Sequence, residues 1–477
     1  MILHRFRRYS LAAAIALLFL CSCGDARRAA PRPSAPTPSP PPTEFSGSRI
    51  RVLIADADAP RGLGRRSEAA AYLSVMASTV ARGLGLDADI VVGRFDGSHV
   101  ADAFVSSDLI VGFIPAADGL ADAALLVPFF PLPGRLPEGP AVSYWLCPPG
   151  APKLAMEVAK ALSAGREGGS FSNSVDAVLG EGSAERYYAA IGYDGILRAQ
   201  YLPLGPEERA WVAARRAAGG ALRAAVRHGG VYAYVPQPDG SVKGFDFDLV
   251  VALAASLGLR LDLSTPKDVG SFFTRDGIVP PDLGTRDYNY TPDLLKKVDL
   301  YANPMGVTPW RQRLMKMITI YPVRNLLAGR KGEELSSIAK LNGKRFAVIK
   351  DSVQQSTLQD FAEKNGVSLR FVYAASEDEL FELVRERRAD YILDGSVIFA
   401  LRSDELRDFG LSPFFSDLQG VAWAVKKDDT VFAAILQDFF NASRDSGLLP
   451  ALWTKTFKMD FTAYIGAITA AAEVGSN

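Results

Sequence analysis

A stretch opened by Asp-Leu and closed by an aromatic-proline pair occurs twice in this chain at one fixed length. Asp108-Leu109 leads to Phe130-Pro131, and Asp299-Leu300 leads to Tyr321-Pro322. The aspartate-to-proline interval is 23 positions in both (131 − 108 and 322 − 299). A duplicated interval of this kind demands two units of the same architecture rather than one large domain. The copies differ where chemistry would sit. The later one carries Thr308, Trp310, Arg311 and Arg313; the earlier has Ala117, Gly119, Leu120 and Asp122 at the same offsets. One copy keeps groups that can hold an anion and the other does not.

The copies also differ downstream of the closing proline. From Pro322 to Gly420, where the next strand returns, there are 98 positions, and from Pro131 to Ala141 only 10. The difference corresponds to the region from Arg330 to Phe415, which reads as a complete α/β lobe. The first unit is therefore expected to be a single lobe and the second a two-lobed domain. Strand and helix patterns alternate through both, which is the mark of layered α/β architecture. Expected strands include Ile50–Ala55, Asp108–Phe113, Leu259–Leu263 and Val421–Val425. Expected helices include 67–84, 152–164, 248–257 and 430–443, with Leu249, Val250, Leu253 and Leu257 on one face of the third.

The first residues read as an export signal. His4, Arg5, Arg7 and Arg8 precede the short apolar run Leu11–Leu20, and Leu20-Cys21-Ser22-Cys23 resembles a bacterial lipobox. Cys23, after the small Ser22, is the expected lipidation site. Residues 24–47 form a Pro-rich spacer. The expected organisation is a signal at 1–23, the linker, a degenerate single-lobe unit at 48–195, a helical linker at 196–220 and a two-lobed domain at 221–470, its second lobe at about 330–415. With Cys147 the only cysteine past the signal, no internal disulfide is expected in the exported body. Lys+Arg and Asp+Glu are both 53, and that balance argues against a nucleic-acid partner. The three histidines are scattered, no metal-spaced cluster exists, and no nucleophile elbow or phosphate loop is present. No metal, cofactor or catalytic residue is expected.

Four segments in order resemble the family 3 extracellular solute-binding proteins, the amino-acid-binding type of periplasmic binding protein. They are Asp239-Gly240-Ser241-Val242-Lys243-Gly244-Phe245-Asp246-Phe247-Asp248-Leu249, the Thr308-Pro309-Trp310-Arg311 turn, Leu341-Asn342-Gly343-Lys344, and Ala389-Asp390-Tyr391-Ile392-Leu393-Asp394. The resemblance covers about residues 221–465 and implies a type II periplasmic-binding-protein fold. It also implies a ligand carboxylate on an arginine of the first lobe and a ligand ammonium on an aspartate of the second. Carried over, these are Arg311 and Asp394. Arg313 meets the family's usual distance to the closing proline, whereas Arg311 meets its Thr-x-x-Arg, so both stay candidates, with Arg311 preferred. Thr308 would donate its hydroxyl, and Tyr232, Tyr234 and Trp310 would cover the ligand side chain. Ser352 would open the second-lobe helix, although Asp351 replaces the family's glycine there and could compete with an anionic ligand. Gly244 and Asp246 read as structural.

The resemblance implies a membrane-anchored extracytoplasmic binding lipoprotein, on the periplasmic or extracellular face, that captures a small polar solute by lobe closure. Its partners would be the solute, an ABC importer or a membrane sensor. The alternative is a ligand-free scaffold. Related lobes occur fused to murein-cleaving enzymes, but nothing resembling a transglycosylase, kinase or cyclase domain comes after them here. The chain is therefore expected not to be an enzyme.

Overall fold

The computed structural model describes residues 48–56, 60–95, 97, 99–115, 120–132, 142–229, 232–284, 286–333, 338–402, 405–411 and 418–474. The expected signal, Cys23, the Pro-rich linker, and Ala117 and Gly119 lie outside them.

Three five-stranded sheets organise the chain. The first holds β1 (Arg49–Ala55), β2 (Asp87–Gly93), β3 (Leu109–Pro115), β4 (Leu125–Pro131) and β5 (Val142–Cys147) in the order β2-β1-β3-β5-β4. The second holds β6 (Ala221–Ala225), β9 (Arg260–Ser264), β10 (Leu300–Gly306), β11 (Met315–Val323) and β17 (Gln419–Lys426), with a small hairpin of β7 (Val235–Pro236) and β8 (Val242–Lys243) between β6 and β9 in sequence. Its order is β11-β17-β10-β6-β9, the first order read from the other edge. Directions agree too: β1 lies parallel to β2 and β3 as β6 does to β9 and β10, and the last two strands are antiparallel in both. The third sheet lies between β11 and β17 in sequence. It holds β12 (Asn325–Arg330), β13 (Arg345–Ile349), β14 (Arg370–Ala374), β15 (Tyr391–Gly395) and β16 (Phe409–Leu411), in the order β14-β13-β15-β12-β16.

One clamp recurs in all three sheets and explains the duplicated aspartate. Asp108, Asp299 and Asp390 each accept a backbone N–H and a guanidinium from Arg51, Arg223 and Arg345 respectively, each backbone bond being 2.9 Å. The aspartate's own N–H returns to the arginine carbonyl at 2.7–2.8 Å. The clamp fixes the register of the first strand against the strand that begins just after the aspartate. A bidentate carboxylate–guanidinium pair tied to backbone has the geometry to do this.

Strands β3 and β5 are buried along nearly their whole length, and Cys147 is fully buried. Helices Arg66–Gly83 and Pro152–Glu167 pack on the first sheet. The expected one-faced pattern of the helix at 248–257 does not hold. The helix runs Phe245–Ser256 and its residues 245–254 are all buried. The helix is enclosed on all sides: strands of the second sheet, the helix Leu448–Phe457 and the connecting stretch all lie against it. That stretch is helical only over Pro206–Ala217. Before it, Arg198 donates to Asp194 and Asp248, Lys455 also reaches Asp248, and Gln200 bonds Phe439 O and Ser443. With Tyr144 on Ala255 O, these contacts fasten the two units to each other.

Gly244 precedes that helix with φ +152°, and a Cβ there would stand 2.3 Å from the Ala233 carbonyl oxygen. Gly244→Ala is expected to cost about 3 kcal/mol through backbone strain and collision, read as a lowered urea midpoint with an unchanged slope. Asp246 is fully buried and accepts the Trp423 indole N–H at 2.6 Å, a structural placement.

Candidate functional site

The second and third sheets form two lobes joined through β11–β12 and the return to β17, and a cleft of about 140 Å³ lies between them. Its first-lobe wall comes from the ends of β6 and β10 and from the short helices near 270 and 310. A register shift between Tyr301 and Met305 breaks the β10–β17 ladder, and the irregular segment puts Asn303 and Pro304 on the cleft, a common use of strand irregularity. Asn303 then accepts Arg227 N at 3.1 Å. The second-lobe wall comes from β13, β15 and the starts of helices Val353–Asn365 and Glu377–Arg385.

Four of the eight expected ligand residues reach the cleft: Arg311, Tyr232, Ser352 and Asp394. Arg311 is 3% exposed. Its Nη1 donates to Gly306 O at 3.0 Å, its Nε has no partner, and the guanidinium lies 5.2 Å from the Phe273 ring and 5.0 Å from the Trp310 ring. Burial alone pulls its pKa down to about 10. Facing the same cleft from the other lobe, Asp394 is 5% exposed and accepts Gln354 Nε2 at 2.8 Å and Gly395 N at 2.7 Å. Burial, reinforced by the charge of Glu377, raises its pKa to about 7, against the pull of its hydrogen bonds and Arg402. Among the described residues, Arg311 has no carboxylate partner, and it shares the cleft with Asp394, a carboxylate bonded only to neutral donors. Each is costly alone, and a zwitterion answers both. Tyr232 shares a 3.0 Å hydrogen bond with Tyr321. Ser352 caps its helix by accepting Gln355 N at 3.2 Å.

The other four lie off the cleft wall, each for a visible reason. Arg313 pairs with Asp287 at 2.9 Å and donates to Arg286 O. Two positions along a helix is a half-turn or so, which carries it away from Arg311. Trp310 is buried behind Arg311 against Phe273. Thr308 caps the helix Pro309–Leu314, its hydroxyl accepting Arg311 N at 3.4 Å. Tyr234 is held away by packing edge-on against Phe247, ring centroids 5.5 Å apart. Asp351 does not line the cleft either. It holds φ +61°, a conformation that favours the glycine usual at this position in the family it resembles.

Sequence reasoning missed Arg227, Glu377, Gln354, Asn303, Phe272 and Phe273, all on the cleft. Arg227 and Glu377 form a 2.5 Å ion pair from lobe to lobe, and Glu377 Oε2 is buried without a partner. The strand end carrying Arg227 and the Ser376 cap before Glu377 were the available signals. Glu377→Gln is expected to weaken solute binding about fivefold by loosening closure, in line with about 1 kcal/mol for a partly buried pair. Calorimetric titration measures it, and a larger radius of gyration in scattering from the empty variant would locate the loss in lobe opening.

Two α/β lobes of this strand order closing on one cleft define a type II periplasmic-binding-protein domain, and its resemblance to the amino-acid-binding family 3 proteins stands. No protein-family model matches the chain. Over 242 residues the chain is 27% identical to the membrane-bound lytic murein transglycosylase F of Pectobacterium atrosepticum, a match covering 48% of this chain and 47% of that protein. The like-named protein of Desulfosudis oleivorans is 24% identical over 221 residues, 45% and 44% of the two. The chain spans about half the length of the curated relatives it matches. Among solved structures it is similar to an arginine-binding-protein variant from T. maritima, at TM-score 0.42 and 19% identity, covering 52% of this chain and 99% of that one. An amino acid ABC transporter substrate-binding protein from Streptococcus pneumoniae, bound to L-arginine, matches at TM-score 0.39 and 19% identity over 51% and 96%.

The curated matches overturn one expectation. The relatives are named as enzymes, so the reading of this chain as a non-enzyme is withdrawn. It rested on a search for catalytic signatures, and a binding fold carries no information about the activity it serves.

Proposed function

We propose that the second unit captures a free amino acid or a close zwitterionic relative, with its carboxylate on Arg311 and its ammonium on Asp394, and that capture holds the lobes closed. The observation that carries this reading is the pair of buried, opposite and unmatched charges on facing lobes of one cleft. Phe272, Phe273 and Tyr232 would bound the solute's side chain. We place the protein outside the cytoplasm, lipidated at Cys23 and tethered through the Pro-rich segment, with the unit at 48–195 as a docking body fixed to the two-lobed domain. Capture would then serve import through an ABC transporter or sensing at the membrane.

The names of the curated relatives support a second reading of what capture serves: control of a murein-cleaving activity by the solute. The test of capture is mass spectrometry of small molecules released on denaturing the purified protein. A zwitterionic solute absent from an Arg311→Ala preparation is expected, and a consistently empty protein that no amino acid stabilises would favour the scaffold. Release of glycan fragments from purified murein sacculi, with and without that solute, tests the second reading separately.

A further inference from the structure

Outside the cleft, an unexplained space lies between the first unit and the two-lobed domain. It is a cavity of about 470 Å³, walled on one side by Phe129, Phe171, Tyr188 and Tyr193 and on the other by Leu448 and Ala451. Arg166, in the last turn of helix Pro152–Glu167, opens onto it. Its guanidinium makes one long hydrogen bond, Nη1 to Phe129 O at 3.3 Å, and stands 5.9 Å from the Phe171 ring. No ion pair is found for it among the described residues. A fork of five donors is thus nearly unused beside a space big enough for a ligand. The helix C-terminus offers it some stabilisation, which is small beside the cost of withdrawing a guanidinium from water. Burial accordingly pulls the Arg166 pKa below its usual value.

We propose that this cavity is a second binding site, for a monocarboxylate with an aromatic or branched apolar body. Arg166 receives the carboxylate in a bidentate pair, and Tyr193 lines the same cavity. The apolar body lies among Phe129, Phe171 and Tyr188, against Leu448 and Ala451 of the other unit. Among the described residues Arg166 is the single cation on the wall, and Glu167 beside it adds a negative charge, so the site can pair one carboxylate and disfavours a polyanion. Because the ligand touches both units, its binding tightens their docking. The site is independent of the amino-acid cleft.

The test is calorimetric titration of the full chain with phenylpropionate as the probe, with phenylpropanol and inorganic phosphate in parallel. Saturable binding of phenylpropionate is expected, weaker by about tenfold or more for the uncharged alcohol, the gap a lost charge-assisted bond produces. Arg166→Gln is expected to weaken phenylpropionate by a similar factor. Ala451→Phe, which fills the opposite wall and leaves the charge in place, should do the same, so a folding defect in the first variant does not decide the matter. Arg311→Ala should leave the probe's affinity unchanged, which separates this site from the cleft. Absence of saturable binding, binding that survives both cavity variants, loss of binding on Arg311→Ala, or a preference for phosphate would each overturn the proposal.

Discussion

Replacing Arg311 with methionine is expected to weaken solute binding by about thirtyfold or more while leaving the empty protein at least as stable. The two effects share one cause. In the empty cleft the guanidinium is 3% exposed, has one carbonyl acceptor and faces two aromatic rings, with no partner on Nε. Burial has lowered its pKa to about 10, which places the cost of holding the charge at roughly 3 kcal/mol. Methionine fills much of the same volume without the charge, and replacing buried charges by apolar side chains often stabilises by about 1–4 kcal/mol. The bound solute would have matched that charge, and removing one partner of a buried pair costs about 2–5 kcal/mol, a loss of affinity of about thirtyfold to several thousandfold. Thermal melting of empty Arg311→Met should therefore give a midpoint at or above that of the unsubstituted protein. A much lower midpoint would assign Arg311 to the fold rather than to a ligand.

Solute affinity should also rise with pH up to about 7 and then level off, while the empty protein loses stability over the same range. Asp394 has its pKa raised to about 7, by burial first and the charge of Glu377 second, against Gln354, Gly395 N and Arg402. In the unfolded chain an aspartate releases its proton near 4. Between those values the folded state binds more protons than the unfolded one, so this group's contribution to stability is present below about pH 4 and lost as pH climbs through about 7. The amount is on the order of 4 kcal/mol. Asp246, also raised to about 7 by burial, adds a share of the same sign. An ammonium needs the ionised carboxylate, so affinity should fall about tenfold per pH unit below 7. Asp394→Asn should bind weakly at every pH, flatten the affinity profile and remove its share of the stability slope. Titrations at several pH values, paired with urea unfolding, read both. An affinity profile unchanged by Asp394→Asn would show that the ammonium sits elsewhere.

Much of this architecture was legible from residue spacing. The duplicated Asp-Leu interval corresponds to two sheets of one strand order, and its aspartates are the arms of the Arg–Asp clamp. The alternation of Leu259, Leu261 and Leu263 marked β9 within a residue. Strands β4 and β11 went unseen because neither shows clean alternation: β4 is buried on both faces from Val127 onward, and β11 is mostly buried with exposed positions scattered along it. Helices Ser170–Leu179 and Ser183–Ile191 were missed because each is short and begins at a left-handed glycine rather than a side-chain cap. Of the motif residues, Arg311 and Asp394 do reach the cleft, being the types that a charged ligand would require. Arg227 and Glu377 were not foreseen, because a cross-lobe pair leaves no local pattern: 150 positions separate them. Trp310 and Tyr234 show the opposite error, since an aromatic near a site is as often its backing as its lining.

The most direct test of the zwitterion grip is a thermal-shift panel of amino acids at about pH 8, run on the unsubstituted chain and on Arg311→Ala. At least one member is predicted to raise the melting midpoint of the first in a concentration-dependent way and to leave the second unmoved. A panel in which no member shifts the unsubstituted chain, or in which both proteins shift alike, would contradict the grip.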